Sequence, residues 1–487
     1  MYLSKSDYVL GISCEKALWL KIHEPQLVPD IDIGLQRRFD IGNEVQKLAR
    51  LLYPEGHMVA DDTIELDRVI WRTQKYAPEH SILFEAAAKT KDFAFCRIDI
   101  MEKNGTAWNL IEIKSATEVK DEYIDDLAFQ KYVFESAGYP VSRCKVIYLN
   151  NEYERIGDLD IQKLFKIDDV TEAVNLQYPN VPANIKHLQA VMDQEIEPKA
   201  TFHKSEPCKE CAFKAYCRQS LPEYSIFNLF NRDAKAQEFY NRYQSCAVED
   251  IPPHYDLNDK ERIDRDAYLT QKEHFSPAAI KEWLNTLVYP LYYLDYETAQ
   301  LAVPLFDHSH PYDQIPFQFS LHIQEKRGGE VKHIGFLHHE RSDPRRDLAE
   351  ALVENCGNTG SVIVYNQAFE MTRNDELAEL FPDLSSGLEN INKRVVDQLI
   401  PFRKRYLYSP KQNSSASIKY VLPAFCDLSY KGMEIANGTE AMCQYQAFLE
   451  NKQTPEETAR MFAALEKYCA QDTLAMVKLM EVLYNYT

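Results

Sequence analysis

The chain has 487 residues, so it is too long for one ordinary domain and we expect two or three folded units. Hydrophobic residues make up 45% and charged residues 27% of the chain, which is typical of soluble proteins with sizeable cores. The formal net charge of -20 argues against a protein that coats nucleic acid, but not against an enzyme that binds it in a cleft. We see no bilayer-spanning apolar run and no signal peptide, and expect no membrane partner.

Four cysteines frame the first predicted unit, residues 1–220. Cys14 lies near its start, and Cys208, Cys211 and Cys217 close it with the spacing C-x-x-C-x5-C. Four thiolates suit a [4Fe–4S] cluster or a structural zinc ion, and the spacing leaves both open. Eleven cysteines in so long a chain favour a reducing compartment, and we expect a cytoplasmic protein.

The segment FAFCRIDIMEKNGTAWNLIEIKS predicts a β-hairpin, because Asn104-Gly105 between alternating apolar runs is a strong turn signal. Taking these two residues as the turn places Asp99 opposite Leu110. Asp99 and Glu112 then become diagonal neighbours on adjacent strands, about 7–8 Å apart at the backbone. A divalent ion could bridge that gap.

Lys114 follows Glu112 by two residues, so alternation puts both on the strand face opposite to Ile111 and Ile113. From there Lys114 could orient or deprotonate a water, or stabilise the charge of a phosphate. The alternative is a half-exposed hairpin in which Glu112 and Lys114 form a simple salt bridge.

These residues resemble the PD-(D/E)XK nucleases of the RecB type. Asp99 matches the Asp of that motif, Glu112 to Lys114 its E-x-K, and Gln130 the Gln of the helix that follows. The resemblance implies that Asp99, Glu112, Lys114 and Gln130 are catalytic and that the two carboxylates bind Mg²⁺ or Mn²⁺. One position departs from the pattern: Gln46 stands where such nucleases often have a metal-binding His, and Glu44 is a possible substitute.

The cysteine pattern is similar to that of the iron–sulfur RecB-type nucleases of CRISPR adaptation and of the AddB subunit. This resemblance covers about residues 1–220. It implies that Cys14, Cys208, Cys211 and Cys217 bind a [4Fe–4S] cluster, with zinc as the alternative, and that the cluster staples the unit together rather than taking part in catalysis.

Residues 221–285 read as a helical connector. Apolar spacing typical of helices occurs in SIFNLF, AKAQEFYNRYQSC and SPAAIKEWLNTL, and the polar stretch 249–266 interrupts it.

The second predicted unit, residues 286–487, begins with the strand-like run LVYPLYYLDYET and ends in a long helix from about Pro455 to Tyr484. Asp295 and Glu297 share one face of the strand, since they are two residues apart. Tyr468 and Asp472 are four apart and share a helix face. Both units mix helices and strands, so we expect an α/β or α+β fold in each.

The order of these residues resembles the DEDD exonucleases of the DnaQ type, which have a ribonuclease-H-like fold. Asp295 and Glu297 match the first motif, Asn366 and Glu370 the second, and Tyr468 and Asp472 the third. Family members usually carry Asp where this chain has Glu370. The resemblance implies two divalent ions held by Asp295, Glu297, Glu370 and Asp472, with Tyr468 positioning the attacking water.

A basic stretch interrupts the acidic chain between Lys393 and Lys419, with seven Lys and Arg against one acidic residue, Asp397. We predict that Arg403, Lys404 and Arg405 follow the phosphate backbone of a nucleic acid, with nearby aromatic rings available to stack on bases. The alternative is a solvated surface with no ligand.

Together these resemblances imply a two-nuclease enzyme, similar to a family of bacterial fusion proteins, that hydrolyses DNA, or RNA, in repair or in defence against foreign DNA. In one alternative only one domain is catalytic and the other binds nucleic acid, with Gln46 making the first domain the passive partner. In the other alternative the chain is a non-enzymatic scaffold.

Overall fold

A computed structural model describes residues 2–60 and 65–487, and it shows a mixed α/β chain with two larger sheets. The chain divides into two compact units. The first unit runs to residue 220 and includes the segment 302–312, while the second unit comprises 221–301 and 313–487. Residues 221–285, expected as a connector, therefore belong to the second unit. Among the described residues, every helix is too short or too polar to span a bilayer.

The strands of the first unit are β1 (Leu3–Ser4), β2 (His57–Met58), β3 (Ile82–Lys89), β4 (Ala94–Asn104), β5 (Ala107–Lys114), β6 (Val141–Leu149) and β7 (Phe165–Asp169). Its helices are α1 (Lys5–Ser13), α2 (Glu15–His23), α3 (Ile33–Arg50), α4 (Leu66–Tyr76), α5 (Asp121–Ser136), α6 (Ile161–Leu164), α7 (Thr171–Gln177), α8 (Val181–Asp193) and α9 (Lys214–Arg218). The strands form one sheet in the order β2-β3-β4-β5-β6-β7, and β1 pairs with β4. Helix α5 joins the parallel pair β5 and β6, which is the usual crossover connection.

Both faces of this sheet are buried. Leu110 of β5 packs in one core with Phe129 of α5, and Ile111 packs in another core with Val45 of α3. The alternation expected for β5 therefore exists, but helices cover both of its faces. Polar side chains between these cores have to find partners inside the unit.

The hairpin of β4 and β5 forms, but its register differs from the predicted one. Asn104 pairs with Ala107 and Met101 with Leu110, so the prediction that Asp99 lies opposite Leu110 was wrong. The loop is Gly105 with the next residue, and Gly105 has a φ of +62°, as the first loop residue of a type II′ turn requires. A shift of two residues preserves the strand face of each side chain.

The helices of the second unit are α10 (Ile226–Leu229), α11 (Asp233–Tyr243), α12 (Asp259–Thr270), α13 (Pro277–Leu284), α14 (Arg345–Asn355), α15 (Gln367–Leu380), α16 (Ser385–Lys393), α17 (Leu399–Arg403), α18 (Ile418–Phe425), α19 (Gly438–Leu449) and α20 (Pro455–Asn485). Its strands are β8 (His274–Phe275), β9 (Leu291–Gln300), β10 (Gln314–Gln324), β11 (Val331–Leu337), β12 (Ser361–Val364), β13 (Val395–Asp397) and β14 (Leu407–Tyr408). The main sheet has the order β11-β10-β9-β12-β13, with β9 antiparallel to β10 and parallel to β12.

Strand β9 lies at the centre of this sheet and separates two environments. Its residues Tyr292, Leu294 and Tyr296 pack with α14, α15 and α16 in one hydrophobic core. The intervening residues face the long helix α20, where Cys469 contacts the backbone carbonyl of Asp295. Helix α20 begins with a capping box between Thr454 and Glu457, next to Pro455 at its first position.

Candidate catalytic sites

The first candidate site lies where β4 and β5 separate. Their ladder ends at the pair Ile100 and Ile111, and beyond it the Asp99 carboxylate replaces backbone pairing. Asp99 Oδ2 accepts a hydrogen bond from the backbone N–H of Ile113 at 2.7 Å. Gln46 of α3 donates to Asp99 Oδ1 at 2.6 Å. The residue at the expected His position is therefore part of the site, as a hydrogen-bond donor.

Glu85 is a member of this site that the sequence patterns did not predict. It interrupts the apolar strand β3 with a φ of +58°, a conformation rarely adopted by non-glycine residues and often found at functional sites. Gln46 also donates to Glu85 Oε1, at 2.8 Å, and Arg50 pairs with the same carboxylate. A lone acidic residue in an otherwise apolar strand was the available signal. Glu44, the suggested substitute ligand, is exposed on α3.

Glu112 is only 2% exposed and accepts hydrogen bonds from three side chains. Its Oε1 accepts from Lys5 at 2.8 Å and from Lys114 at 2.9 Å, and its Oε2 accepts from Gln130 at 2.9 Å. Burial by itself would raise the pKa of Glu112, but the charges of Lys114 and Lys5 outweigh it and hold the pKa below its ordinary value.

Asp126 completes the network from α5. Lys114 donates to Asp126 Oδ2 at 2.8 Å, Gln130 donates to its Oδ1 at 2.8 Å, and Lys5 Nζ lies 3.7 Å from Oδ2. Burial lowers the pKa of Lys114, but Glu112 and Asp126 more than reverse this, so the net shift is upward. Lys114 is therefore suited to stabilising negative charge rather than to removing a proton from water. The sequence patterns did not predict Lys5 and Asp126.

The pKa of Asp99 is shifted in the opposite direction to that of Glu112. Burial, with the neighbouring charges of Glu112 and Glu85, raises the pKa of Asp99 to about 7, although Lys5 opposes the shift. A cavity of about 1180 Å³ opens beside this network and is lined by Lys5, Lys114 and Asp126 among others. The four residues predicted on the hairpin and on α5 are thus in one site.

The structure also brings the four predicted cysteines together, all as free thiols. Cys14, Cys211 and Cys217 pack against one apolar cluster, and Cys208 is close enough to interact electrostatically with Cys14 and Cys211. Burial, opposed by a nearby lysine and reinforced by the other thiols, raises the pKa of Cys217 to about 11.

Within the described parts of the chain, Asp295, Glu297 and Cys469 of the second unit form a group with three ligand atoms inside 4.8 Å of one another. For the four cysteines of the first unit, a [4Fe–4S] cluster and a structural zinc ion both stay open.

The second candidate site is built from β9 and α20. Asp295 and Glu297 project from β9, and Tyr468 and Asp472 lie one turn apart on α20. These residues line one cavity of about 450 Å³. Glu297 and Asp472 are only 7% and 9% exposed. The structure thus brings together two of the three predicted motifs in one cleft.

Two tyrosines hold Asp472. Tyr430 donates to Asp472 Oδ1 at 2.5 Å, and the Tyr468 hydroxyl is also hydrogen-bonded to this carboxylate. Burial raises the pKa of Asp472 to about 6, although Tyr430, Lys419 and Tyr468 all oppose this shift. Burial and the charge of Asp472 raise the pKa of both tyrosines, which therefore act as hydrogen-bond donors. The sequence patterns did not predict Tyr430.

The second predicted motif, Asn366 and Glu370, lies at the start of α15. Asn366 precedes this helix in a left-handed conformation with a φ of +91°, and Glu370 lies in its first turn, 3% exposed. Glu370 Oε2 is buried and has no hydrogen-bond partner. Burial raises the pKa of Glu370 to about 8, with a smaller upward contribution from Asp397. Glu370 in turn raises the pKa of Asp295, so the second motif is electrostatically coupled to β9.

Asp397 has a structural role here. Its Oδ1 accepts from the backbone N–H of Asn366 at 3.1 Å and of Leu399 at 2.9 Å. These bonds fix the turn that begins α15 and the turn that begins α17. Asp397 therefore positions the segment carrying Glu370.

The buried acidic groups of the second site are poorly neutralised. The pKa values of Asp295 and Glu297 are both raised well above their ordinary values, first by burial and then by the charge of Asp472. Lys419 is the cation that opposes the shifts of Glu297 and Asp472. Carboxylate oxygens are the ligands that Mg²⁺ and Mn²⁺ prefer, so this donor set, with one unpartnered oxygen, fits a divalent ion.

One predicted nucleic-acid contact was wrong. Arg405 is 1% exposed and pairs with Asp264 through Nε at 2.5 Å and Nη2 at 2.7 Å. The Arg405 guanidinium links α12 to the turn after α17 through this ion pair. A buried guanidinium needs a charged partner of this kind. Arg403 and Lys404 are exposed and remain candidates for binding phosphates.

Part of the second unit matches a known protein family. A family model described as a domain of unknown function, DUF2779, matches residues 292–417, which include all but the first residue of β9 and the first turn of α15. An "Uncharacterized protein MG366 homolog" of Mycoplasma pneumoniae is 24% identical over 363 residues, 65% of this chain and 53% of the relative. "Uncharacterized protein UU173" of Ureaplasma parvum is 25% identical over 208 residues, 38% of this chain and 30% of the relative. The chain thus spans about half or less of the curated relatives that it matches.

Proposed function

We propose that this chain is a divalent-metal-dependent nuclease that hydrolyses phosphodiester bonds of DNA, with its principal catalytic centre in the second unit. The observation that carries the proposal is the cluster of Asp295, Glu297, Glu370 and Asp472. Three of these carboxylates are buried and Asp295 is half-buried; they come from three separate elements and have raised pKa values with little compensating charge. A protein that maintains such repulsion is well suited to bind cations there.

The arrangement is compatible with the DnaQ-like exonuclease that the motif order resembles. The mixed five-stranded sheet, with helices packed on it, is compatible with the ribonuclease-H-like fold of that family. Bound at the four carboxylates, Mg²⁺ or Mn²⁺ would stabilise the attacking and leaving oxygens of a phosphodiester displacement. By analogy with the family, cleavage would proceed from 3′ to 5′.

The residues around the carboxylates have distinct tasks in this proposal. The Tyr468 hydroxyl, held as a donor next to Asp472, orients the attacking water. Lys419 lies at the same cavity, with its ammonium 6.0 Å from the centre of the Tyr468 ring, and its charge favours the approach of a phosphate. Arg403 and Lys404 are available to the backbone of the strand beyond the cut.

The first unit supplies a second site of the PD-(D/E)XK type. Asp99, Glu112, Lys114 and Gln130 meet there as the RecB-type resemblance implies, and the neighbouring thiols are proposed to hold a [4Fe–4S] cluster. A second candidate function is that this unit binds nucleic acid without cutting it. The close pairing of Glu112 with two lysines favours that alternative.

The test is cleavage of end-labelled single-stranded and double-stranded DNA, and of RNA, with Mg²⁺ or Mn²⁺. Asp295→Asn should abolish metal-dependent shortening, because it removes a ligand and keeps the shape of the side chain. Glu379→Gln changes an exposed residue of the same unit and should cut like the wild type.

Asp99→Asn separates the two candidate functions. Residual cleavage in Asp295→Asn that disappears when Asp99→Asn is added would establish two working sites. Absence of cleavage by the metal-supplied wild type on all substrates would refute the nuclease proposal.

A further inference from the structure

The first-unit site differs from the second in its charge balance. Four acidic side chains meet there with four basic ones: Asp99, Glu112, Asp126, Glu85, and Lys5, Lys114, Arg50, Arg97. Sites that hold divalent ions depend on an excess of negative ligands. The first-unit site already contains its compensating cations as side chains.

Lys5 supplies a positive charge next to Glu112, at the position where a divalent ion would bind. Its ammonium lies 2.8 Å from Glu112 Oε1 and 3.7 Å from Asp126 Oδ2, on the carboxylate that the E-x-K motif assigns to the metal. Lys114 contacts the same two carboxylates at 2.9 and 2.8 Å. A divalent ion bound to Glu112 would face two ammonium groups at short range, and like charges repel strongly where water is excluded.

The position of Lys5 is set by the fold. It is the first residue of α1, which is fixed by the reciprocal capping of Ser4 and Asp7. Helix α1 packs against α5, with the rings of Tyr8 and Phe129 stacked 4.6 Å apart. Displacing the Lys5 ammonium would therefore require the side chain to leave Glu112 while its helix stays in place.

We propose that Lys5 is a resident cation that replaces the divalent ion at the first-unit site, so that this site holds no divalent metal. The inference rests on the proposed function, because it takes the site to be of the nuclease type. It assigns all divalent-metal dependence of the protein to the carboxylates of the second unit. There, Lys419 is the cation that opposes the raised pKa values of Glu297 and Asp472, whereas Glu112 is paired with two lysines.

The experiment measures Mn²⁺ binding by electron paramagnetic resonance in the full chain. The background variant carries Asp295→Asn and Asp472→Asn, which remove the second-unit ligands. We expect no stoichiometric Mn²⁺ binding by this variant. Adding Lys5→Met, which keeps the length of the side chain but not its charge, should create one Mn²⁺ site per chain. We expect a gain of about 10- to 100-fold in affinity, the range that groups bonded to metal ligands commonly control.

Two matched variants complete the test. Lys5→Arg keeps the charge and should bind Mn²⁺ no better than the background. Lys21→Met removes a lysine that lines the same cavity but pairs with Asp7, and it should also have no effect. Circular dichroism establishes that each variant is folded.

Tight Mn²⁺ binding by the background variant, lost when Glu112→Gln is added, would overturn the proposal. Unchanged Mn²⁺ binding in a folded Lys5→Met variant would overturn it too. Neither result depends on cleavage, so failure of the nuclease assay and failure of this inference are distinguishable.

Discussion

Replacing Glu370 with Gln should stabilise the metal-free protein at high pH while destroying metal-dependent activity. Glu370 is buried, its Oε2 has no hydrogen-bond partner, and its pKa is raised from 4.5 to about 8. Gln has nearly the same shape and no charge. The substitution therefore removes the penalty of a buried anion and one proposed metal ligand together.

The sign of the pH dependence follows from the raised pKa. Between pH 4.5 and about 8 the folded protein holds a proton on Glu370 that the unfolded chain has lost. Glu370 therefore contributes its full stability below pH 4.5, and this contribution is lost as the pH rises through 8. One such group lowers the free energy of unfolding by about 1.4 kcal/mol per pH unit across this window.

The size of the stability change follows from the change in the pKa of Glu370. A change in pKa from 4.5 to about 8 corresponds to about 5 kcal/mol at most. Relaxation of the site and entry of water reduce this, so we expect roughly 2 to 5 kcal/mol between pH 5 and pH 9. For a unit of this size, a gain of 2 kcal/mol raises the melting temperature by about 4–8 °C.

Differential scanning calorimetry in EDTA measures this effect, at pH 5, 7 and 9. Glu370→Gln and the wild type should melt alike at pH 5, and the variant should melt higher at pH 9. Saturating Mg²⁺ should raise the melting temperature of the wild type more than that of the variant. Glu379→Gln, the same change at an exposed position of α15, is the control. Identical pH profiles for the wild type and Glu370→Gln would show that Glu370 does not titrate with a raised pKa in the folded protein.

Three further predictions address other parts of the molecule. Arg405→Ala should cost about 3–5 kcal/mol in chemical denaturation, because it leaves Asp264 buried without its partner, while Lys404→Ala should leave stability unchanged. Cys211→Ser should lower bound iron and acid-labile sulfide, measured per chain after anaerobic purification, and unchanged iron would contradict the proposed cluster. Tyr468→Phe should lower kcat about 10- to 100-fold with little change in KM, and an unchanged kcat would exclude a role in orienting the water.

Local sequence patterns located part of each candidate site. Asp99, Glu112 and Lys114 are visible because they interrupt alternating apolar strands, and Gln130 because it lies on the next predicted helix. Asp295 and Glu297 are visible because they too interrupt an apolar strand, β9. Local spacing carries such information, since side chains two apart on a strand share a face.

One helix that the apolar spacing did not predict has a clear local signal. Helix α12 begins inside the polar stretch 249–266, where no helix was predicted, and its capping box of Asn258 and Glu261 was readable in the sequence. The hairpin register depended on which residues of Asn104 to Thr106 form the turn, and the Asn-Gly signal favoured the wrong pair. A turn signal locates a hairpin more surely than it fixes its register.

The balance of charge at each site depends on contacts between residues that are far apart in the sequence. Lys5 lies 107 residues before Glu112, and Asp264 lies 141 before Arg405, so no local pattern connects either pair. Packing buries Arg405 against Asp264 of α12. It also places basic side chains such as Lys5 beside the carboxylates of the first site. It left Glu370 buried with an unpartnered oxygen, because desolvation and long-range contacts depend on packing rather than on sequence spacing.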